Sequence, residues 1–278
     1  MKANAILITA TILVALMIII ALTPTNIPYD VDNPYWDGYS IAAKVCGLRQ
    51  IYQANSINDY SQIFLIPQVP PSQSLIRQLS RFVANGGRLV VLSNSVMYGN
   101  SVLRELGVGV EIGNGTVVDF VFNLGNPYMP LCYVRNTTLI NEPLVLALDN
   151  ASPLIVGGNA VVIAFTSSLS SASSSVGSFP VIAYVKYGRG YVIVISTPAV
   201  FTNSLIHSYN NTEFLRALCI NETNGIIETT LANHNAQLML RGILLEVYGI
   251  LSMRPINYII SIIPLIAASL IIAKYKNV

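Results

Sequence analysis

Two uncharged apolar runs, one near each end, constrain this chain more than any other feature. Residues 3–23 (ANAILITATILVALMIIIALT) and 256–273 (INYIISIIPLIAASLIIA) contain no Asp, Glu, Lys or Arg. A helix of about 20 such residues reaches across the hydrocarbon core of a bilayer. The sequence therefore predicts two membrane spans, the second kinked at Pro264. A cleaved signal peptide fits the first run less well. Its apolar part exceeds the usual length, and Pro24 follows the small-residue site at 21–23. Lys2, Lys274 and Lys276 flank the outer ends of the runs. By the positive-inside rule both termini are expected in the cytoplasm and the main domain outside.

These runs partition the chain into four expected pieces. They are an anchor over 1–24, an extracytoplasmic α/β domain over 25–224, a membrane-proximal helix over 225–254, and a C-terminal span with a short tail over 255–278. The chain is 53% hydrophobic and 10% charged, with a net charge of +2. That balance excludes a disordered charged protein and offers no basic field for nucleic acid. The segment 24–253 holds 11 basic and 13 acidic residues, so low charge density persists without the apolar runs. Such a surface fits one covered by a partner protein, a bilayer or glycans.

Within the domain, apolar runs alternate with amphipathic stretches. Short strands are expected over 49–53, 62–66 and 88–92, the last two apolar enough to be buried on both faces. Between them, Ser72 should cap a helix through Val83, ended by Asn85-Gly86-Gly87. A short helix is expected over 100–106. This is the grammar of a parallel sheet covered by helices. Further strands are expected over 108–121, 144–148 and 159–165, then a mobile serine-rich loop over 166–178. Strands over 180–187 and 191–196 read as a hairpin joined by Gly188-Arg189-Gly190. A helix is expected over 211–218.

The chemistry-bearing residues are sparse. Only two histidines occur, His207 and His234, and neither lies in a hydrolase motif. Ser93-Asn94-Ser95 lacks the glycines of a nucleophile elbow. Asp30, Asp32 and Asp37 form the sole acidic cluster and read as a solvated loop, so no metal and no cofactor are expected. Cys46, Cys132 and Cys219 are odd in number; at most one pair can bridge, and all three are expected as small core residues. Five glycosylation sequons stand at Asn114, Asn136, Asn150, Asn210 and Asn221, against about three expected by composition. In open α/β sheets ligands sit at the carboxyl ends of strands. Trp36, Asp37 and Ser40, Asn94 and Ser95, and Asn203 follow or flank such ends and are the candidate binding residues.

The order of motifs resembles a known family. It runs from Asn33-Pro34-Tyr35-Trp36-Asp37-Gly38-Tyr39-Ser40 through Ile63-Phe64-Leu65-Ile66-Pro67 and Asn85-Gly86-Gly87-Arg88-Leu89-Val90-Val91-Leu92 to Glu105-Leu106-Gly107. It ends with Tyr187-Gly188-Arg189-Gly190-Tyr191-Val192-Ile193-Val194-Ile195-Ser196 and Phe201-Thr202-Asn203. This is similar to the membrane-anchored domain of unknown function 4350 family. That family is related in fold to class I glutamine amidotransferase-like domains and to auxiliary subunits of gliding-type ABC transporters. The resemblance implies a flavodoxin-like three-layer α/β sandwich flanked by two transmembrane helices. It also implies a non-enzymatic binding or scaffold subunit of an envelope or transporter-associated complex. The amidotransferase cysteine is missing, since Ser93-Asn94-Ser95 occupies its turn, and Ser196-Thr197-Pro198 lacks the acid often found after the hairpin. The alternative reading is a divergent hydrolase or amidotransferase-like enzyme using Asp37, Ser95 and Asn203.

Overall fold

The structure is a computed structural model that describes residues 24–52, 54–135, 142–219 and 223–229, with residues 9, 11, 12, 15, 16, 19 and 243. The chain divides into two units, one of Pro24–Asn233 and one of Met1–Thr23 with His234–Val278. The following concerns Pro24–Asn233.

Its described residues form four α-helices and thirteen strands. The helices are α1 (Ser40–Cys46), α2 (Gln73–Ala84), α3 (Val96–Leu106) and α4 (Asn211–Leu218). The strands are β1 (Leu48–Gln50), β2 (Gln62–Ile66), β3 (Arg88–Leu92), β4 (Val110–Ile112), β5 (Leu131–Val134), β6 (Leu144–Ala147), β7 (Leu154–Val156) and β8 (Val161–Thr166). They continue with β9 (Ser171–Ala172), β10 (Ser175–Val176), β11 (Pro180–Tyr187), β12 (Gly190–Ile195) and β13 (Asn224–Glu228). Nine strands form one sheet in the order β1-β13-β2-β3-β12-β11-β8-β5-β6. The first five run parallel, and the remaining pairings are antiparallel.

The period-two geometry of strands explains both cores. Phe64, Ile66, Val90, Leu92, Ile193, Ile195 and Ile226 share one cluster with Ala42 of α1 and Phe214, Leu215 and Leu218 of α4. Their neighbours Ile63, Leu65, Leu89, Val91, Val192, Val194 and Ile227 share the other with Leu75, Leu79 and Val83 of α2 and Val102 and Leu103 of α3. Alternate residues point to opposite faces, so a strand covered on both sides needs an unbroken apolar run. Ser72 caps α2 as expected, its Oγ accepting from the Leu75 N–H at 3.2 Å.

Three expectations are corrected here. The flavodoxin-like parallel sandwich gives way to a mixed sheet. The cause is the hairpin at Gly188-Arg189: a turn this short permits only antiparallel neighbours, because parallel strands need a long crossover. β11 therefore reverses direction against β12, and β8, β5 and β6 follow it.

The second correction concerns the bilayer. Among the described residues no helix is long and apolar enough to cross a membrane. A span needs about 20 continuous helical residues, whereas the longest described helix, α2, has 12. The expectation of two transmembrane helices, and the two-pass localisation that rested on it, are corrected to that finding. The run over 256–273, most of 3–23 and nearly all of the expected membrane-proximal helix lie outside the described residues.

The third concerns the cysteines. Cys46 and Cys219 form a disulfide with Cα atoms 5.6 Å apart. The ends of α1 and α4 lie side by side on the same sheet face, within bridging distance. Only Cys132 remains free; it is fully buried, and burial pushes its thiol pKa far up.

The serine-rich stretch is also tied down. Ser167 and Ser170 both donate to the Asp119 carboxylate, Ser170 at 2.8 Å, and β9 pairs with β10 inside the segment. The long strand expected over 108–121 is broken: β4 ends at Ile112, and Asp119 closes a turn by accepting from the N–H groups of Val121 and Phe122.

Candidate functional site

At the carboxyl edge of the parallel strands, the segment before α1 makes a compact turn. Asp30 and Asn33 are fully buried at its centre. The Asp30 carboxylate accepts from the Thr25 hydroxyl and the Asp32 N–H. Asn33 Nδ2 donates to the Ile27 carbonyl at 2.8 Å and to Asp37 Oδ1 at 3.1 Å, while its Oδ1 accepts from the Tyr35 N–H. Asp30 and Asp37 are thus used as acceptors within the fold. Among the described residues no group of three or more His, Cys, Asp or Glu is placed to hold a metal ion. Gly38 is required by close approach: a Cβ there would stand 2.0 Å from the Asn33 carbonyl oxygen.

Asn203 fastens this turn from the far end of the sequence. Its Nδ2 donates to the carbonyls of Asn33 at 3.0 Å and Tyr35 at 2.6 Å. Its Oδ1 accepts from the Ile41 N–H at 2.9 Å, and Ser40 Oγ lies within hydrogen-bond reach of the amide. The backbone joins in, with Asn203 N donating to Gly38 O and Ser204 N to Trp36 O. Tyr39, fully buried, donates its hydroxyl to the Pro198 carbonyl. A carboxamide is the side chain that can do this, since it carries two donors and an acceptor. The outcome is a fixed turn with Trp36 72% exposed at its tip beside an exposed Tyr35.

The structure therefore brings Trp36, Asp37, Ser40 and Asn203 together. Asn94 and Ser95 belong to a different set of contacts. Asn94 Nδ2 donates to the Asn150 carbonyl at 3.0 Å, and the Asn94 carbonyl accepts from Ser152 Oγ at 3.1 Å. Ser95 caps α3, its Oγ accepting from the Tyr98 N–H at 3.1 Å. Of the sequons, Asn114 and Asn150 are exposed. Asn210 is half-buried and its Oδ1 accepts from the Val145 N–H, while Asn136 and Asn221 lie outside the described residues. His207 is exposed; His234 lies outside the described residues.

Tyr29, Asp149 and Glu228 complete this edge, and sequence reasoning missed them. Tyr29 takes a left-handed φ of 63° and packs edge-on against Tyr39 with ring centroids 5.7 Å apart. Burial raises its phenol pKa, and Asp149, Asp37 and Glu228 raise it further. Burial also raises the Asp149 carboxyl above its ordinary value, opposed by the Asn150 N–H. Thr197 Oγ1 donates to the Asp149 carbonyl at 2.6 Å, which binds the 149–152 segment to the Thr197–Asn203 loop. The group is assembled from four distant stretches, so no local pattern announces it. The edge as a whole offers an exposed aromatic pair, Tyr35 and Trp36, and a phenol, Tyr29, whose pKa is raised by burial and by the charges of Asp149, Asp37 and Glu228.

The model of a family described as "Domain of unknown function (DUF4350)" matches residues 31–219, about two thirds of the chain. No curated protein matches it in sequence. Among solved structures, the mmIFT52 N-terminal domain is 18% identical with a TM-score of 0.49, covering 59% of this chain and 77% of that one. Gan42B, a GH42 β-galactosidase from G. stearothermophilus, is 17% identical with a TM-score of 0.39. That match covers 58% of this chain but only 21% of the galactosidase. The cytoplasmic protein STM1381 from Salmonella typhimurium LT2 is 15% identical with a TM-score of 0.40, covering 64% of this chain and 77% of that one. Scores and identities this low say nothing of what the chain does.

Proposed function

The chain belongs to the domain of unknown function 4350 family, and on that premise we propose that it is a non-catalytic binding or scaffold subunit whose partner docks on the Trp36 edge. One observation carries the reading: the turn that displays Trp36 is held by the Asn203 carboxamide and by backbone bonds from Asn203 and Ser204. An exposed aromatic on a preordered turn loses little entropy on docking, which is what an interface anchor requires. Burial raises the Tyr29 phenol pKa, and the charges of Asp149 and Asp37 raise it further. The partner surface that fits is an apolar socket bordered by Lys or Arg.

The hydrolase alternative draws no support from the geometry. Ser95 Oγ is engaged by the N–H of Tyr98, Asp37 Oδ1 by Asn33, and the Asn203 amide by the turn. A nucleophile needs a base within hydrogen-bond reach, and Ser95 has a helix cap instead. The test is a photoreactive phenylalanine analogue placed at position 36, with Trp36→Ala as the companion variant. Crosslinking to one defined protein, and loss of that protein from Trp36→Ala preparations with an unchanged melting temperature, is expected. Retention of every co-purifying protein by Trp36→Ala would sink the proposal.

A further inference from the structure

The amino ends of the central strands carry a polar row, at the end of the sheet away from Trp36. Strand register sets Asn224 of β13 beside Gln62 of β2, and Gln62 beside Arg88 of β3. Arg88 stands beside Tyr191 of β12, and Tyr191 beside Lys186 of β11. Residues in register share a face of the sheet. The next row on that face is Ile226, Phe64, Val90, Ile193 and Tyr184, which belongs to the apolar cluster under α1 and α4.

A sheet end is ordinarily polar because water covers it, but this row is covered by protein. Gln62 is fully buried, Asn224 is buried and Arg88 is half-buried. Asn224 Nδ2 donates to the Cys46 carbonyl at 2.9 Å. Arg88 donates to the Leu218 carbonyl at 3.0 Å and, more loosely, to Gln62 Oε1 at 3.4 Å. Gln62 Nε2 has no hydrogen-bond partner among the described residues. A buried donor left unmatched costs free energy that a bound acceptor recovers.

The charge of the row gives the sign of that acceptor. Arg88 and the exposed Lys186 are its cations, with Tyr191 between them. Burial lowers the Arg88 pKa, and Tyr191 acts in the opposite sense. Arg104 and Arg216 pair with Glu111 and Glu213, whereas neither cation of the row forms an ion pair among the described residues. The carboxyl end of α4, which Arg88 meets at Leu218, offsets about half an elementary charge. More than one positive charge is left over. A carboxylate returns only one, whereas a phosphate group carries about −1.5 to −2 at neutral pH and has three acceptor oxygens. Arginine bonds two such oxygens at once. Adjacent strands stand about 4.8 Å apart, so Arg88 and Lys186 lie roughly 10 Å apart at the backbone, a span that two long side chains can close on one anion. We propose that this row binds a phosphate group between Arg88 and Lys186, with the Tyr191 hydroxyl and Gln62 Nε2 as neutral donors. The site is independent of the Trp36 edge, and either can fail without the other.

Phosphorus NMR on the full chain in a non-ionic detergent tests it. The probes are inorganic phosphate, for a free ligand, and dihexanoyl phosphatidic acid, for a lipid headgroup, with acetate as the singly charged competitor. Saturable binding of a phosphate probe is expected, and the tighter of the two names the source. Lys186 is exposed and unpaired, so Lys186→Gln should fold, which an unchanged melting temperature verifies. It should weaken binding roughly tenfold or more, as the loss of a charged hydrogen bond implies. Arg88→Gln should weaken it at least as much. Arg77→Gln removes an exposed cation of α2 outside the row and should leave binding unchanged. Absence of saturable binding, binding that Lys186→Gln leaves intact, an equal loss in Arg77→Gln, or displacement of phosphate by an equal concentration of acetate would each overturn the assignment.

Discussion

Asn203 Nδ2 lies 2.6 Å from the carbonyl oxygen of Tyr35, a contact that spans 168 positions of the chain. One side chain thereby fixes the shape of a turn that contains no regular secondary structure of its own. Replacing Asn203 by Ala strips donors from the Asn33 and Tyr35 carbonyls and an acceptor from the Ile41 N–H. Net loss of two to three such bonds costs about 2–3 kcal/mol. Asn203→Asp should recover little, because a carboxylate cannot donate to either carbonyl. Chemical denaturation of the two variants checks the ranking.

The Cys46–Cys219 bridge closes a separation of 173 residues. Cross-linking so long a loop restricts the unfolded chain and contributes about 2–5 kcal/mol. Cys46→Ala, or a reductant added to the native chain, should lower the melting temperature by a comparable amount. Cys132→Ala, which keeps the bridge, should respond to reductant as the native chain does. A melting curve of the native chain indifferent to reductant would show that the bridge does not form.

Asp119 gives a signed dependence on pH. Although burial opposes ionisation, bonds from Ser167, Phe122, Val121 and Ser170 together hold its carboxyl below the ordinary value. A group whose folded pKa is depressed adds stability that is present above the unfolded pKa and is lost as pH falls through the folded one. Unfolding measured from neutral to acidic pH should show a loss below about pH 4 that Asp119→Asn lacks. Hydrogen exchange at Val121 and Phe122 should rise in the same range.

Phe201 sits fully buried, 6.0 Å from the Phe214 ring and 6.5 Å from the Phe64 ring by centroid. Phe201→Ala would leave a cavity between the sheet and α4 and cost about 3–5 kcal/mol. Phe201→Leu should cost clearly less. Equal losses for the two variants would mean that the site collapses around either side chain.

The sequence made the inner strands plain, because burial on both faces demands runs such as Ile63-Phe64-Leu65-Ile66 and Leu89-Val90-Val91-Leu92. The N-cap at Ser72 and the hairpin at Gly188 were legible for the same reason: each depends on a few adjacent residues. Misjudged features depend on distance. β13 was overlooked because Gly225 and the buried Glu228 interrupt its apolar pattern, yet it fits between two strands that supply the missing pairing. Asp119 looked like an ordinary strand residue until the serines of the 167–170 segment closed on it. Asp149 acts on the Tyr29 phenol from 120 positions along the chain, and nothing near either residue foretells the other.

The place of β13 has one more consequence. It pairs with β1 on one side and β2 on the other, although both precede it by more than 150 residues. During synthesis the ribosome therefore releases a sheet with an open slot, its two lips bearing unpaired backbone N–H and C=O groups until residues 224–228 emerge. A fragment cut at residue 219, where the family match stops, would keep that slot open for good. Any excised version meant to stay monomeric has to run past Glu228, and the nascent chain has to be kept from borrowing a strand from its neighbour in the interval.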